Sequence, residues 1–164
     1  MEFQKQACEK PSPISLKPHH FLCSLGFEGK GYSPEFVQNF WNIVHRLRSV
    51  DAGSSEDFEI EIQAGADSIC QPCPNRRGNS CEKQEMIEKL DSAHSQVLGL
   101  VPSEKITWTR AKEKIAERMS ISDFHSACEP CGWKKMGVCE AALMRVKKSH
   151  AVSSVTAFLF FMFT

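Results

Sequence analysis

Apolar residues recur at three- and four-residue spacing in several separate stretches, which is the period of amphipathic helices. The clearest runs from Ser33 and Pro34, a good cap and first residue, to about Ser49. Phe36, Val37, Phe40, Val44 and Leu47 form its apolar stripe, widened by Trp41 and Ile43. A second helix is predicted from Glu82 to about Leu98. Met86, Leu90, Ala93 and Val97 make its stripe, and Gly99 ends it. A third spans about 111–119 after a lead-in from Ser103, with Trp108, Ala111, Ile115 and Met119 on one face. Short helices are predicted over Lys17–Gly26 and around Ser122–Ser126. A last one opens at Cys139 with Ala142, Leu143 and Val146 inward. Only Phe58-Glu-Ile-Glu-Ile-Gln63 alternates in the manner of a half-buried strand. The expected fold is mainly α, a compact helical domain with one short strand element (a small α+β arrangement).

Set against this frame is a pattern of another kind. Cys70-Gln-Pro-Cys73 is followed by seven residues and Cys81, and Cys128-Glu-Pro-Cys131 by seven residues and Cys139. The spacing C-x2-C-x7-C thus occurs twice. Pro72 matches Pro130, Arg76-Arg77 matches Lys134-Lys135, and Glu82 matches Glu140. Proline and glycine make the first copy a tight loop. A third element, His19-His20-Phe21-Leu22-Cys23, places either histidine three or four residues from Cys23, on one face of a helix.

A C-x2-C turn directs two sulfurs toward one ion or cluster, and the third cysteine can close from across the loop. Each repeat therefore offers three sulfurs and needs a fourth ligand. Cys23 and one of His19 or His20 can supply the two missing donors, giving two four-ligand sites. One four-ligand cluster drawing on both repeats is the competing arrangement. Zinc accepts all-thiolate and thiolate–imidazole sets. The prolines beside the cysteines and the basic doublets, which offset cluster charge, lean toward iron–sulfur.

Composition narrows the setting. The 164-residue chain is long enough for one domain with a real core. Residues 1–15 read as a polar leader holding Cys8, 16–150 as the metal-binding domain, and 151–164 as an apolar tail. The 20 basic residues balance the 20 acidic ones, which disfavours a nucleic-acid binder. The N-terminus has no apolar signal-peptide core. The chain is therefore expected in the cytoplasm, where clustered cysteines are ligands more often than disulfides. The apolar run Ala157–Phe163 is far shorter than the about 20 residues that cross a bilayer, so no transmembrane segment is expected.

The blocks Lys17-Pro-His-His-Phe-Leu-Cys23, Gly-Lys-Gly-Tyr-Ser-Pro-Glu-Phe36, Cys-x-Pro-Cys-Pro74 and Cys-x-x-Cys-x-Trp…Gly-x-Cys139 occur in one order. They resemble the prokaryotic family catalogued as domain of unknown function 1284. The resemblance covers roughly Leu16 to Leu143 and implies iron–sulfur binding, with no reaction assigned. It carries over Cys23, Cys70, Cys73, Cys81, Cys128, Cys131 and Cys139 as the ligand pool. Gly132 departs from the pattern, standing where the first repeat has Pro74.

The reading on these grounds is an iron–sulfur protein with an electron-transfer or redox-sensing role. Its metal residues are the seven thiols with His20 or His19, and a redox protein partner docks on the basic doublets. A zinc-stabilised interaction or nucleic-acid-binding module without catalysis is the alternative. No nucleophile triad, hydrolase signature or nucleotide fingerprint accompanies the cysteines; an enzyme reading would use His19, His20 or His125 as acid or base.

Overall fold

The structure is a computed structural model that describes residues 12–162, with side chains through Ser154. Cys8 and Phe163 lie outside the described residues. Among the described residues six α-helices pack around a small three-stranded sheet, a mainly α domain with a minor β element.

Strand β1, Ile14–Leu16, leads into helix α1, Pro18–Gly26, and helix α2, Pro34–Asp51. Strand β2, Glu59–Ile62, follows and pairs parallel to β1, so both helices lie in the crossover that parallel pairing demands. Ile14 faces Ile60 and Leu16 faces Ile62 in register, and all four are buried. Strand β5, Lys105–Thr107, pairs antiparallel on the other edge of β2, with Ile106 opposite Ile60. Two of these strands differ from the sequence expectation. Ile14 and Ser15, assigned to the leader, are in the sheet. Lys105–Thr107, assigned to a helix lead-in, is a strand. Neither three-residue segment is long enough to show a period of two.

Helix α2 matches its predicted stripe: Phe36, Phe40, Ile43, Val44 and Leu47 are buried, and the Ser33 hydroxyl accepts from the Phe36 amide at 3.2 Å. Between β2 and the next helix, a two-stranded hairpin, β3 (Arg76–Arg77) and β4 (Ser80–Cys81), closes the first cysteine repeat. Helix α3, Gln84–Leu98, ends at Gly99 in the left-handed region, φ 62°. Its buried residues are Leu90, His94 and Leu98. The predicted stripe through Ala93 and Val97 is thus turned by one position, and a histidine takes an apolar place in the core. Helix α4, Trp108–Arg118, is capped by Thr107 and buries Trp108, Ala111 and Ile115.

Helix α5, Ile121–Ala127, is only seven residues long and starts on a complete capping box. Ser120 Oγ accepts from the Asp123 amide at 3.0 Å, and Asp123 Oδ2 accepts from the Ser120 amide at 2.9 Å. Helix α6 runs from Val138 to Met162, so its backbone continues through most of the segment read as a separate tail. Helix α1 packs between α6 and α3, and α4 lies on α6. No helix among the described residues is long and apolar enough to cross a membrane.

Candidate metal centre

Both cysteine repeats fold into the same local turn. Cys73 N donates to Cys70 O at 3.0 Å, and Cys131 N to Cys128 O at 3.0 Å. The next links repeat too: Arg76 N to Cys73 O at 3.0 Å, Lys134 N to Cys131 O at 3.2 Å. Each loop then passes a left-handed glycine, Gly78 at φ 62° or Gly137 at φ 73°, before the third cysteine. An L side chain is strained there, so glycine lets the chain reverse. The elements delivering the third cysteine differ. Cys81 lies on β4 opposite Arg76, whereas Cys139 lies in the first turn of α6.

The second repeat receives its fourth thiol from α1. Gly26 sets the close approach, because a Cβ there would lie 2.9 Å from Cys139 Cα and 3.0 Å from the Val138 carbonyl carbon. One turn back along α1, the Cys23 thiol interacts with that of Cys139. This interaction comes first in raising the Cys23 pKa well above the ordinary thiol value, with burial and the charges of Cys139, Cys131 and Cys128 adding to the effect. The same interaction pulls Cys139 below the ordinary value. Cys128 is pushed up to about 12 by burial, then by Cys131 and Cys139. Cys23, Cys128, Cys131 and Cys139 are thus within electrostatic reach of one another, and the neighbouring thiols oppose ionisation of Cys23 and Cys128. A cation among them removes that opposition. A cavity of about 240 Å³ opens beside Cys23 and Cys139, walled by Phe27, Phe40, Trp133 and Val138.

The first repeat turns toward a different set. His20, Asp67 and Cys70 bring their ligand atoms within 4.8 Å of one another. Asp67 is buried and accepts from Lys17 N at 2.7 Å, His20 Nδ1 at 2.6 Å, and the Ile69 and Cys70 amides at 3.0 Å each. Burial acts to raise its pKa, but the His20 ring and the bonds from His20 and Lys17 outweigh it and hold Asp67 at about 2. Cys70 is pushed up to about 12, first by burial and then by the Asp67 charge. Cys73 is raised by burial and by Cys81. Tyr32 stands where the two repeats meet. Its pKa rises to about 12 through burial first, then through Cys73, Cys131, Cys81 and Cys23, thiols of both neighbourhoods. Trp133, beside the second turn, packs on it with ring centroids 5.0 Å apart.

Three histidines line the inner side. His19 Nδ1 lies 2.6 Å from Asp91 Oδ1, His20 Nδ1 2.6 Å from Asp67 Oδ2, and His94 Nδ1 2.8 Å from Leu90 O. Carboxylate and carbonyl oxygens only accept, so each Nδ1 carries the hydrogen. In the neutral ring Nε2 then keeps its lone pair. Burial lowers the pKa of His19 to about 4, with His20 adding to the effect, and burial likewise lowers that of His94.

The sequence placed His19 and His20 on the face of Cys23. In the structure α1 divides them: Cys23 looks to Cys139, His20 to Asp67 and Cys70, and His19 to Asp91 and the His20 ring. The seven described cysteines are free thiols. Sequence reasoning passed over Asp67, Asp91 and His94. For His94 a signal was present, since it continues the four-residue step from Leu90 to Leu98. The sequence also raised the exposed His125 as an acid–base group; it lies 3.8 Å from Glu140.

A family model described as Protein of unknown function (DUF1284) matches residues 31–137. Cys23 and Cys139 fall just outside that range. No curated protein and no solved structure matches.

Proposed function

From the premise that this chain belongs to the family of proteins of unknown function DUF1284, we propose that it is a metal-binding protein with a cysteine centre at each repeat. The observation that carries this reading is the close approach of α1 to the start of α6, which brings Cys23 and Cys139 to one 240 Å³ cavity with Cys131 and Cys128 within electrostatic reach. Four sulfurs from two distant segments suit the all-thiolate shell of an iron–sulfur cluster.

The second centre comprises Cys70, Cys73 and Cys81 with His20, which Asp67 orients through Nδ1 in the manner of a carboxylate–histidine pair beside a metal. An iron–sulfur cluster at either repeat would supply one-electron chemistry. Phe27, Phe40 and Trp133 wall the cavity beside Cys23 and Cys139, and the turns present basic side chains. Arg76 and Arg77 are exposed on the first hairpin, and Lys134 and Lys135 form a single helical turn in the second. These doublets suit an acidic redox partner. The mixed sulfur, nitrogen and oxygen donors at His20, Asp67 and Cys70 favour zinc as the alternative at the first repeat.

The test is iron, zinc and acid-labile sulfide per chain, in protein purified without oxygen, for wild type, Cys139→Ser and Cys73→Ser. Iron with matching sulfide that falls in Cys139→Ser supports the cluster. Stoichiometric zinc without sulfide replaces it with the zinc reading. Metal content unchanged in both variants refutes both centres.

A further inference from the structure

His94 is a fully buried polar residue in an otherwise apolar stripe, 1 % exposed, between Leu90 and Leu98. Its Nε2 stands 3.6 Å from Cys128 Sγ. Its Nδ1–H is already spent on the Leu90 carbonyl, so in the neutral ring Nε2 has a lone pair and no proton to give. Toward the free thiol this is satisfactory, because Cys128 can donate its hydrogen to Nε2. Toward a thiolate it is not. Once a metal replaces the Cys128 proton, Nε2 faces a sulfur anion with nothing between them, in a site that water does not reach. Sharing the metal gives the lone pair a partner and keeps the Nδ1–H bond to the Leu90 carbonyl.

The separation agrees with that outcome. Metal–sulfur and metal–imidazole bonds of about 2.3 and 2.0–2.1 Å at a tetrahedral angle place sulfur and nitrogen about 3.6 Å apart. In the first repeat, too, an imidazole stands near the first cysteine of the turn: His20, Asp67 and Cys70 bring their ligand atoms within 4.8 Å of one another, and Asp67 holds His20 Nδ1.

Resting on the two-centre reading above and amending its donor set, we propose that His94 is a metal ligand through Nε2, sharing an ion with Cys128 and taking the place of one of the other three thiols, so that the second-repeat centre has a mixed sulfur–nitrogen shell. The expected guest is a metal of borderline softness, zinc or ferrous iron, or a two-iron cluster in which one iron takes a thiolate and an imidazole.

The full chain, labelled at its histidine nitrogens, is loaded with the magnetic isotope of cadmium and observed by NMR. The expected result is a one-bond cadmium–nitrogen coupling at Nε2 of His94. The resonance is assigned through its link to its own backbone and by its loss in His94→Gln. The wild-type spectrum decides the matter even if that variant fails to fold. Cadmium held at the second repeat with no coupling at His94 overturns the His94 assignment and leaves the centres standing. Failure of the cysteines to hold cadmium at all overturns the metal reading with it.

Discussion

Replacing Gly26 with alanine probes how the second-repeat centre is assembled. The added Cβ would sit 2.9 Å from Cys139 Cα, 3.0 Å from Cys139 N and 3.0 Å from the Val138 carbonyl carbon. All three are backbone atoms at the start of α6, so no side chain can swing aside. Comfortable carbon–carbon contact begins near 3.5 Å, so α1 and α6 must separate by about 0.6 Å. Metal–ligand distances tolerate about 0.2 Å, and the separation acts directly between the helices that carry Cys23 and Cys139. Overpacking of this kind costs about 1–3 kcal/mol. The intrinsic helix preference for alanine over glycine returns up to about 1 kcal/mol in either metal state. Without metal the two helices are free to part and the net cost to the fold is at most about 2 kcal/mol, while with metal the parting is opposed and affinity carries the misfit. If that misfit is relieved by loosening the centre, affinity falls about 5- to 150-fold. The assay is competition for metal against a coloured chelator. Gly132→Ala is the control, because a Cβ at that position, next to Cys131, meets nothing within 4 Å. Wild-type affinity in Gly26→Ala, or an equal loss in Gly132→Ala, would refute the claim that this helix contact positions the fourth thiol.

Two further outcomes follow from neighbouring contacts. Asp67→Ala leaves the Lys17, Ile69 and Cys70 amides and His20 Nδ1 without their acceptor; stability should drop by about 3–5 kcal/mol, read as a lower urea midpoint at unchanged slope, and an unchanged midpoint would show that Asp67 does not organise the first turn. Ser120→Ala removes the hydroxyl half of the capping box on α5, the short helix that feeds Cys128. The cost should be about 1 kcal/mol, a fall of roughly 2–4 °C in the melting midpoint, and calorimetry showing no shift would mean that packing of Phe124 alone sets the helix.

What was legible in the sequence is what short stretches determine by themselves. The α2 stripe, the Ser33 cap, the Gly99 stop and the start of α6 near Cys139 all follow from spacing and capping within a few residues. So do the matching hydrogen-bonded turns of the two repeats, which arise from C-x2-C with proline and a later glycine. The β1 and β5 strands were not legible, because three residues carry no period and only pairing with β2 makes them strands. The grouping of the side chains was decided by tertiary structure alone. A helix face puts His19, His20 and Cys23 within reach of one another, but it cannot say which neighbour each will meet. Packing of α1 between α6 and α3 sends Cys23 to Cys139, and His20 to Asp67 and Cys70. His94 reaches Cys128 because α3 turns by one position from its apolar pattern, a rotation that pays only once α5 and α1 lie against it. Local hydrogen bonds and periodicity act along the chain and can be read there, whereas a shared centre needs atoms from its far ends, and only burial of a common core brings those together.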